Sequence, residues 1–234
     1  MKKVVVTGAS KGIGLAIAKK FASQNYAVSI CARQEKYLRQ ATETIRNSSQ
    51  NSNIFSFECD VSKPEERIAF AEFVKENMGE ADILVNNAGI FIPGQVHNEE
   101  EGVLETMLQT NVQSAYHFSR LFLPEMMKNK SGHIFNMCST ASITAYTNGG
   151  SYCISKYALY GMTKVLREEL KPFDIKVTAI LPGATLTNSW SGTDLPEERF
   201  MKAQDVAEAV FMCSQLSPGA VIEEILMRPQ LGDI

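Results

Sequence analysis

Paired cysteines, long apolar runs and clustered histidines are all missing from this 234-residue chain, and each absence removes a class of function. The five cysteines, Cys31, Cys59, Cys138, Cys153 and Cys213, are odd in number and none stand as Cys-x-x-Cys. Free thiols in a reducing compartment are expected rather than a disulfide framework. No stretch reaches the roughly 18 apolar residues of a membrane span. Val4-Val5-Val6 is too short for the apolar core of a signal peptide. The expectation is a soluble, cytoplasmic protein with no membrane partner. His97, His117 and His133 stand at no metal-ligand spacing, so no metal is expected. Ser139 lacks a Gly-x-Ser-x-Gly elbow, which argues against a Ser–His hydrolase. Excess positive charge is absent too: the formal net charge of −3 gives no electrostatic footprint for nucleic acid.

The hydrophobic share of 44% and charged share of 21% are those of an ordinary globular protein. Short apolar runs rich in Val, Ile and Phe alternate with longer amphipathic ones. The runs predict strands over Lys3–Thr7, Ala27–Ala32, Ile54–Glu58, Ile83–Asn86, Gly132–Met137, Lys176–Leu181 and Val221–Leu226. Helices are predicted over Gly12–Gln24, Glu35–Asn47, Pro64–Asn77, a long stretch ending near Lys128, Tyr152–Leu170 and Gln204–Gln215. Asp60 or Ser62 with Pro64 looks like a helix start. Asn47–Asn53 reads as a polar surface loop. Met107, Met126, Met127 and Met162 read as gap-filling core or interface residues. Strand and helix alternate throughout, so the fold class is α/β: a doubly wound parallel sheet of the Rossmann type, with residues 1–234 forming one domain. In such sheets ligands bind at the carboxyl ends of the strands.

The first strand runs into Thr7-Gly8-Ala9-Ser10-Lys11-Gly12-Ile13-Gly14. Glycines permit the tight turn and let a pyrophosphate approach the backbone, and the helix N-terminus offers unpaired N–H groups to phosphate. The second strand ends Ile30-Cys31-Ala32-Arg33, without the carboxylate that would accept from the ribose of NAD. Arg33, with Lys11 from the glycine turn, could pair with the extra phosphate of NADP. The expected cofactor is therefore NADP(H), preferred over NAD(H).

Tyr152-Cys153-Ile154-Ser155-Lys156 puts Tyr and Lys on one helix face. A phenol is a poor proton donor and acceptor near neutral pH, and an ammonium beside it favours its ionised form. The pair suits a residue that gives a proton to a carbonyl oxygen, or takes it back. Ser139, at a strand's carboxyl end, could bind the substrate oxygen.

Taken together, the glycine turn, Asp60-Val61, Asn86-Asn87-Ala88-Gly89, Asn111, Ser139, Tyr152 with Lys156, and Pro182-Gly183 with Thr187 resemble the short-chain dehydrogenase/reductase family over essentially the full chain. The resemblance implies roles. Tyr152 would be the acid–base residue, with Lys156 holding the nicotinamide ribose and tuning it. Ser139 would position the carbonyl, and Asn111 would anchor a water of the proton relay. Thr7, Gly8, Ser10, Gly12 and Ile13 would wrap the pyrophosphate, Asp60 and Asn87 would border the adenine and its ribose, and Pro182, Gly183 and Thr187 would meet the nicotinamide end. Lys11, Gly14, Val61, Ala88 and Gly89 would complete the cofactor-binding set.

The function implied is reduction of a small or medium carbonyl compound, or oxidation of the matching alcohol. Phe91, Ile143, Tyr146 and Trp190 suggest an apolar or aromatic substrate. A 3-oxoacyl-carrier-protein reductase is the runner-up, with Lys128 and Lys130 as a patch for an acidic carrier. A cofactor-binding sensor without chemistry is the alternative of another class. A homodimer or homotetramer is expected from the resemblance and from Phe118, Leu121, Phe122, Ala158, Leu159, Met162 and Leu166, more apolar surface than one helix face needs. Two departures from the family stand out: the ending Arg228–Ile234 in place of a glycine-rich segment, and a short stretch, 187–204, for covering a substrate.

Overall fold

A computed structural model describes residues 1–187, 190 and 192–234. Seven strands, β1 (Lys3–Thr7), β2 (Ala27–Ala32), β3 (Ile54–Glu58), β4 (Ile83–Asn86), β5 (Gly132–Met137), β6 (Ile175–Pro182) and β7 (Glu224–Met227), form one sheet in the order β3-β2-β1-β4-β5-β6-β7. Every pairing is parallel, for example Val4 with Val28 and with Ile83. Parallel strands need covered faces, and alternate side chains supply the covering. Val4, Val6, Ile83 and Val85 face one apolar cluster, and Val5 and Leu84 face the other.

The helices are α1 (Gly12–Ser23), α2 (Glu35–Ser49), α3 (Pro64–Met78), α4 (Val103–Leu108), α5 (Ser114–Asn129), α6 (Gly150–Leu170) and α7 (Ala203–Ser214). The chain turns back at β1 in one direction and continues through β4 in the other. This reversal of strand order opens a crevice beyond the carboxyl ends of β1 and β4, where Gly8 and Asn87 lie.

Most element ends fall within one or two residues of the sequence-based boundaries, and the larger differences have local causes. Helix α2 runs on to Ser49, because the Ser48 and Ser49 hydroxyls donate back to the Ile45 carbonyl and the helix closes only at Gln50, with φ +54°. The polar stretch after Asn47 is thus not simply a surface loop. Asn51 is buried and its amide donates to the Ala22 and Tyr26 carbonyls. Helix α3 begins at Pro64 after Lys63, so neither Asp60 nor Ser62 caps it. Asp60 instead accepts from the Ser62 N–H and hydroxyl at 3.0 and 2.7 Å, closing the turn before the helix. Strand β7 starts at Glu224 rather than Val221, since the Ile222 carbonyl is taken by the Thr178 hydroxyl at 2.6 Å. The long stretch ending near Lys128 is α4 and α5 joined by a π turn at Gln109–Gln113.

Met107 and Met126 are buried core residues, as their placement suggested, and Met127 packs half-buried against the same core. His133 is buried beside Thr178, and burial, helped by the charge of Lys176, pushes its imidazole down to about 3, so it stays neutral.

Candidate active site

The backbone after β1 forms the first wall of the crevice. Gly8 has φ +65°, and a Cβ there would stand 2.7 Å from the Ala88 backbone. Gly12, at φ +58°, begins α1, whose first turn carries no acidic residue. Its N-terminal N–H groups therefore face the crevice with their partial positive charge undiminished.

Gly8, Ser10, Lys11, Gly12, Ile13, Gly14, Arg33, Asp60, Val61, Asn87, Ala88, Gly89 and Thr187 all line this half of the crevice, as does Ala32. Thr7 does not. It is buried behind the turn, and its hydroxyl accepts from the Asn87 and Ala88 N–H groups at 3.0 Å each, joining β1 to β4. Asn87 reinforces the same joint by donating to the Thr7 and Gly8 carbonyls.

At the far end Arg33 and Lys11 are exposed and form no ion pair among the described residues. Burial pushes the Asp60 carboxyl up. The hydrogen bonds from Ser62 and the positive charges of Arg33 and Lys63 outweigh it and hold Asp60 below its ordinary value. Gln109 and Thr106, which sequence reasoning did not single out, also line this half, and Gln109 donates to the Ser62 carbonyl at 3.2 Å.

The second half is a cleft of about 470 Å³ that shares Ile13, Asn87, Gly89, Ile90 and Thr187 with the first, so the two are continuous. Tyr152 lies in the first turn of α6 and Lys156 one turn on, its Nζ 5.7 Å from the Tyr152 ring centre. Lys156 is buried and donates to the Met137 carbonyl at 2.7 Å. This bond aims the ammonium at the end of β5, where Ser139 stands.

The Ser139 hydroxyl accepts from the Ala141 N–H at 3.1 Å, so it caps a 3₁₀ turn as well as lining the cleft. Its acceptor side is engaged, and its own proton points to no partner among the described residues.

Asn111 is buried in the π turn, a local widening that swings a side chain off the regular helical face. Its amide exchanges bonds with the Ile90 N–H and carbonyl and donates to Ser155 at 2.9 Å. Ser155, missed by sequence reasoning, is fully buried and donates to the Tyr152 carbonyl, linking Asn111 to the Tyr152 turn. Gly89 keeps this corner open, since a Cβ there would stand 3.3 Å from the Asn111 Oδ1 and 3.6 Å from the Lys156 Nζ.

Phe91, Tyr146, Trp190, Pro182 and Gly183 line the cleft, whereas Ile143 does not. Phe91 meets the Tyr152 ring edge-on with centres 4.9 Å apart. Asp233 and Ile234 line it too, a contribution that no local pattern signals. Of the segment 187–204, Asn188, Ser189 and Ser191 lie outside the described residues. Lys128 and Lys130 close α5 just before β5 begins, at the amino ends of the strands and opposite the crevice. Lys128 also lies 3.7 Å from Glu125, so this patch does not border the cleft.

The family model for short chain dehydrogenase matches residues 2–197. The chain belongs to the short-chain dehydrogenase family. An uncharacterised oxidoreductase of Staphylococcus saprophyticus is 31% identical over 228 residues, covering 97% of each chain. A 3α-hydroxysteroid dehydrogenase of Mediterraneibacter gnavus is 30% identical, over 96% of this chain and 94% of that one. Among solved structures, an alcohol dehydrogenase from Thermococcus sibiricus complexed with 5-hydroxy-NADP superposes with a TM-score of 0.91 at 27% identity, covering 100% and 99% of the two chains. The fold, and an oxidoreductase activity of this family, follow from these likenesses together with the crevice. No described helix is long and apolar enough to cross a membrane.

Proposed function

We propose that this short-chain dehydrogenase is an NADP(H)-dependent oxidoreductase acting between a carbonyl and the matching secondary alcohol, with Tyr152 as general acid–base. The observation that carries the reading is the convergence of Ser139, Tyr152 and Lys156 on one cleft continuous with the glycine turn. The close approach of Gly8 to Ala88 and the unopposed N-terminus of α1 fit a dinucleotide's pyrophosphate. Bound there, the nicotinamide supplies or accepts the hydride.

The chain's own residues manage the proton. Ser139 has its hydrogen free to donate to the substrate oxygen, which orients the carbonyl towards Tyr152. Tyr152 gives its phenolic proton to that oxygen during reduction and takes it back during oxidation. The Lys156 ammonium, held by the Met137 carbonyl, stands 5.7 Å from the centre of the Tyr152 ring, on the catalytic side of the cleft. Asn111 and Ser155 brace this turn, and Asn111 is assigned the relay water. Arg33 and Lys11 would receive the 2′-phosphate, in line with the NADP analogue in the Thermococcus relative.

The protein is further read as cytoplasmic and as a homodimer or homotetramer. Phe118, Phe122 and Leu159 are buried within the chain, so the apolar surface left for a partner comes from Leu121 and Ala158, with the exposed Tyr116, Ile154, Tyr157 and Val165 on the same two helices.

The test is NADPH depletion over a panel of aldehydes and ketones. Turnover that needs NADPH and vanishes in Tyr152→Phe supports the reading. A silent panel with tight NADPH binding replaces it with a sensor that performs no chemistry. Light scattering giving the mass of one chain at micromolar concentration overturns the oligomer.

A further inference from the structure

The seven residues after β7 return to the active site. Gly183 donates to the Met227 carbonyl at 2.7 Å, so the tail leaves the sheet directly beside the Pro182-Gly183 turn. Pro229 is buried, and the Gly232 N–H bonds the Pro229 carbonyl at 2.9 Å with Gly232 at φ +84°. That turn reverses the chain and points Asp233 back at the cleft. Arg228 Nε then donates to Asp233 Oδ2 at 2.8 Å, and Arg199 reaches the Asp233 carbonyl at 3.5 Å. The other carboxylate oxygen lies 3.0 Å from where a Gly183 Cβ would be, so glycine at 183 is what lets the carboxylate in.

Among the described residues that line the substrate half, the side chains that can carry charge are Tyr146, Tyr152, Lys156, Asp233 and Cys138, and burial pushes the Cys138 thiol up to about 11, so it is neutral. Burial pushes the Tyr146 phenol up, with Tyr152 and Cys153 adding to it, so Tyr146 is neutral. The Lys156 ammonium is committed to the Met137 carbonyl and sits at the catalytic end. Arg228 holds Asp233 from outside and does not line the cleft. A substrate carboxylate at the tail end would meet a like charge and no receiving cation, while an uncharged body would meet Phe91 and Trp190. A desolvated charge without a partner is disfavoured, and like charges repel.

We infer that Asp233, presented by the Arg228–Ile234 tail, is a specificity-determining residue that sets the pocket for uncharged carbonyl compounds and against those bearing a carboxylate. This rests on the carbonyl-reductase reading above and deepens it.

A matched pair tests it: methyl 4-formylbenzoate and 4-formylbenzoate, or the same ester and acid built on another carbonyl that the panel shows to be turned over. The Asp233 side chain is 47% exposed, so solvent and salt moderate the effect. The wild-type kcat/KM is expected to favour the ester by about tenfold, equivalent to about 1.4 kcal/mol. Asp233→Asn keeps an acceptor for Arg228 and should close most of that gap by raising the acid rate far more than it changes the ester rate, with NADPH affinity and melting temperature unchanged. A ratio that Asp233→Asn leaves unaltered, or ester and acid rates that fall together, overturns the assignment while leaving carbonyl reduction intact. A wild-type enzyme silent across the whole panel overturns carbonyl reduction itself, and this assignment with it.

Discussion

The two halves of the crevice are built in different ways. The cofactor half is floored by the backbone of one stretch, the turn from Gly8 to Gly14 and the start of α1, with Arg33, Asp60 and Asn87 from neighbouring strand ends around it. Its shape depends on Gly8 and Gly12 at positive φ and on the buried joint of Thr7 with Asn87. The substrate half is mostly side chains brought from five separate segments: Phe91 beyond β4, Ser139 beyond β5, Tyr152 on α6, Trp190 beyond β6 and Asp233 beyond β7. Phe91 and Tyr146 are 42% and 48% exposed there, whereas Thr7 behind the turn is 2% exposed. Backbone geometry held by a core suits an invariant ligand such as a dinucleotide. Half-exposed side chains on separate loops can change without disturbing that core, which suits the part that selects the substrate.

The widest separation of the halves is expected from Tyr152→Phe. Removing one hydroxyl from the substrate half should lower kcat on the order of 10²–10⁴-fold, the usual worth of general acid–base catalysis. The dissociation constant for NADPH, read by nucleotide fluorescence, should barely move. Substantial retained turnover refutes the role of Tyr152.

Gly8→Ala attacks the other half. An added methyl would meet the Ala88 Cα at 2.7 Å at a φ that L-residues rarely adopt. A loss of stability of about 1–3 kcal/mol is expected, with NADPH binding weakened at temperatures where the protein is still folded. Thermal melting and cofactor titration check it, and an unchanged melting temperature with unchanged affinity shows that the turn can relax.

Arg33→Ala is a finer cut. A hydrogen bond to a charged group contributes about 1.5–3 kcal/mol, and exposure pulls Arg33 to the low end, so NADPH should lose about tenfold in kcat/KM. NADH should be unaffected. Ala32→Asp should go further in the same direction, because a carboxylate repels the phosphate and accepts from a free ribose hydroxyl. Equal efficiency with the two cofactors in the unmodified enzyme counts against the assignment.

The smallest effect belongs to Phe91→Leu. Phe91 lines the cleft, where an aromatic substrate would meet its ring, and such an aromatic pair is worth about 0.5–1.5 kcal/mol beyond burial. Its loss should raise KM a few-fold for aromatic aldehydes and leave aliphatic ones and NADPH alone. A uniform fall with every substrate would mean instead that Phe91 braces Tyr152.

The sequence by itself determined what depends on neighbours along the chain. Alternating apolar runs announce strands buried on both faces, so β1 to β5 appear nearly where their patterns place them. The glycine spacing announces a turn that only glycine tolerates, and Tyr152 with Lys156 shares a helix face because 3.6 residues make a turn.

Tertiary contact decided what depends on distant groups. Asn51 looked like part of a loop until the Ala22 and Tyr26 carbonyls claimed its amide. Thr7 begins the glycine turn in the sequence, but which way its hydroxyl faces is decided by the Asn87 and Ala88 N–H groups, which hold it inward. Ser155 gives no pattern of its own, because its meaning lies in Asn111, which reaches it from another helix. Asp233 is the extreme case. Its place in the substrate half comes from the edge position of β7, the Gly183 to Met227 bond and the Arg228 latch. None of these has a local period, because each is a contact across space between segments that pack together only once the sheet has formed.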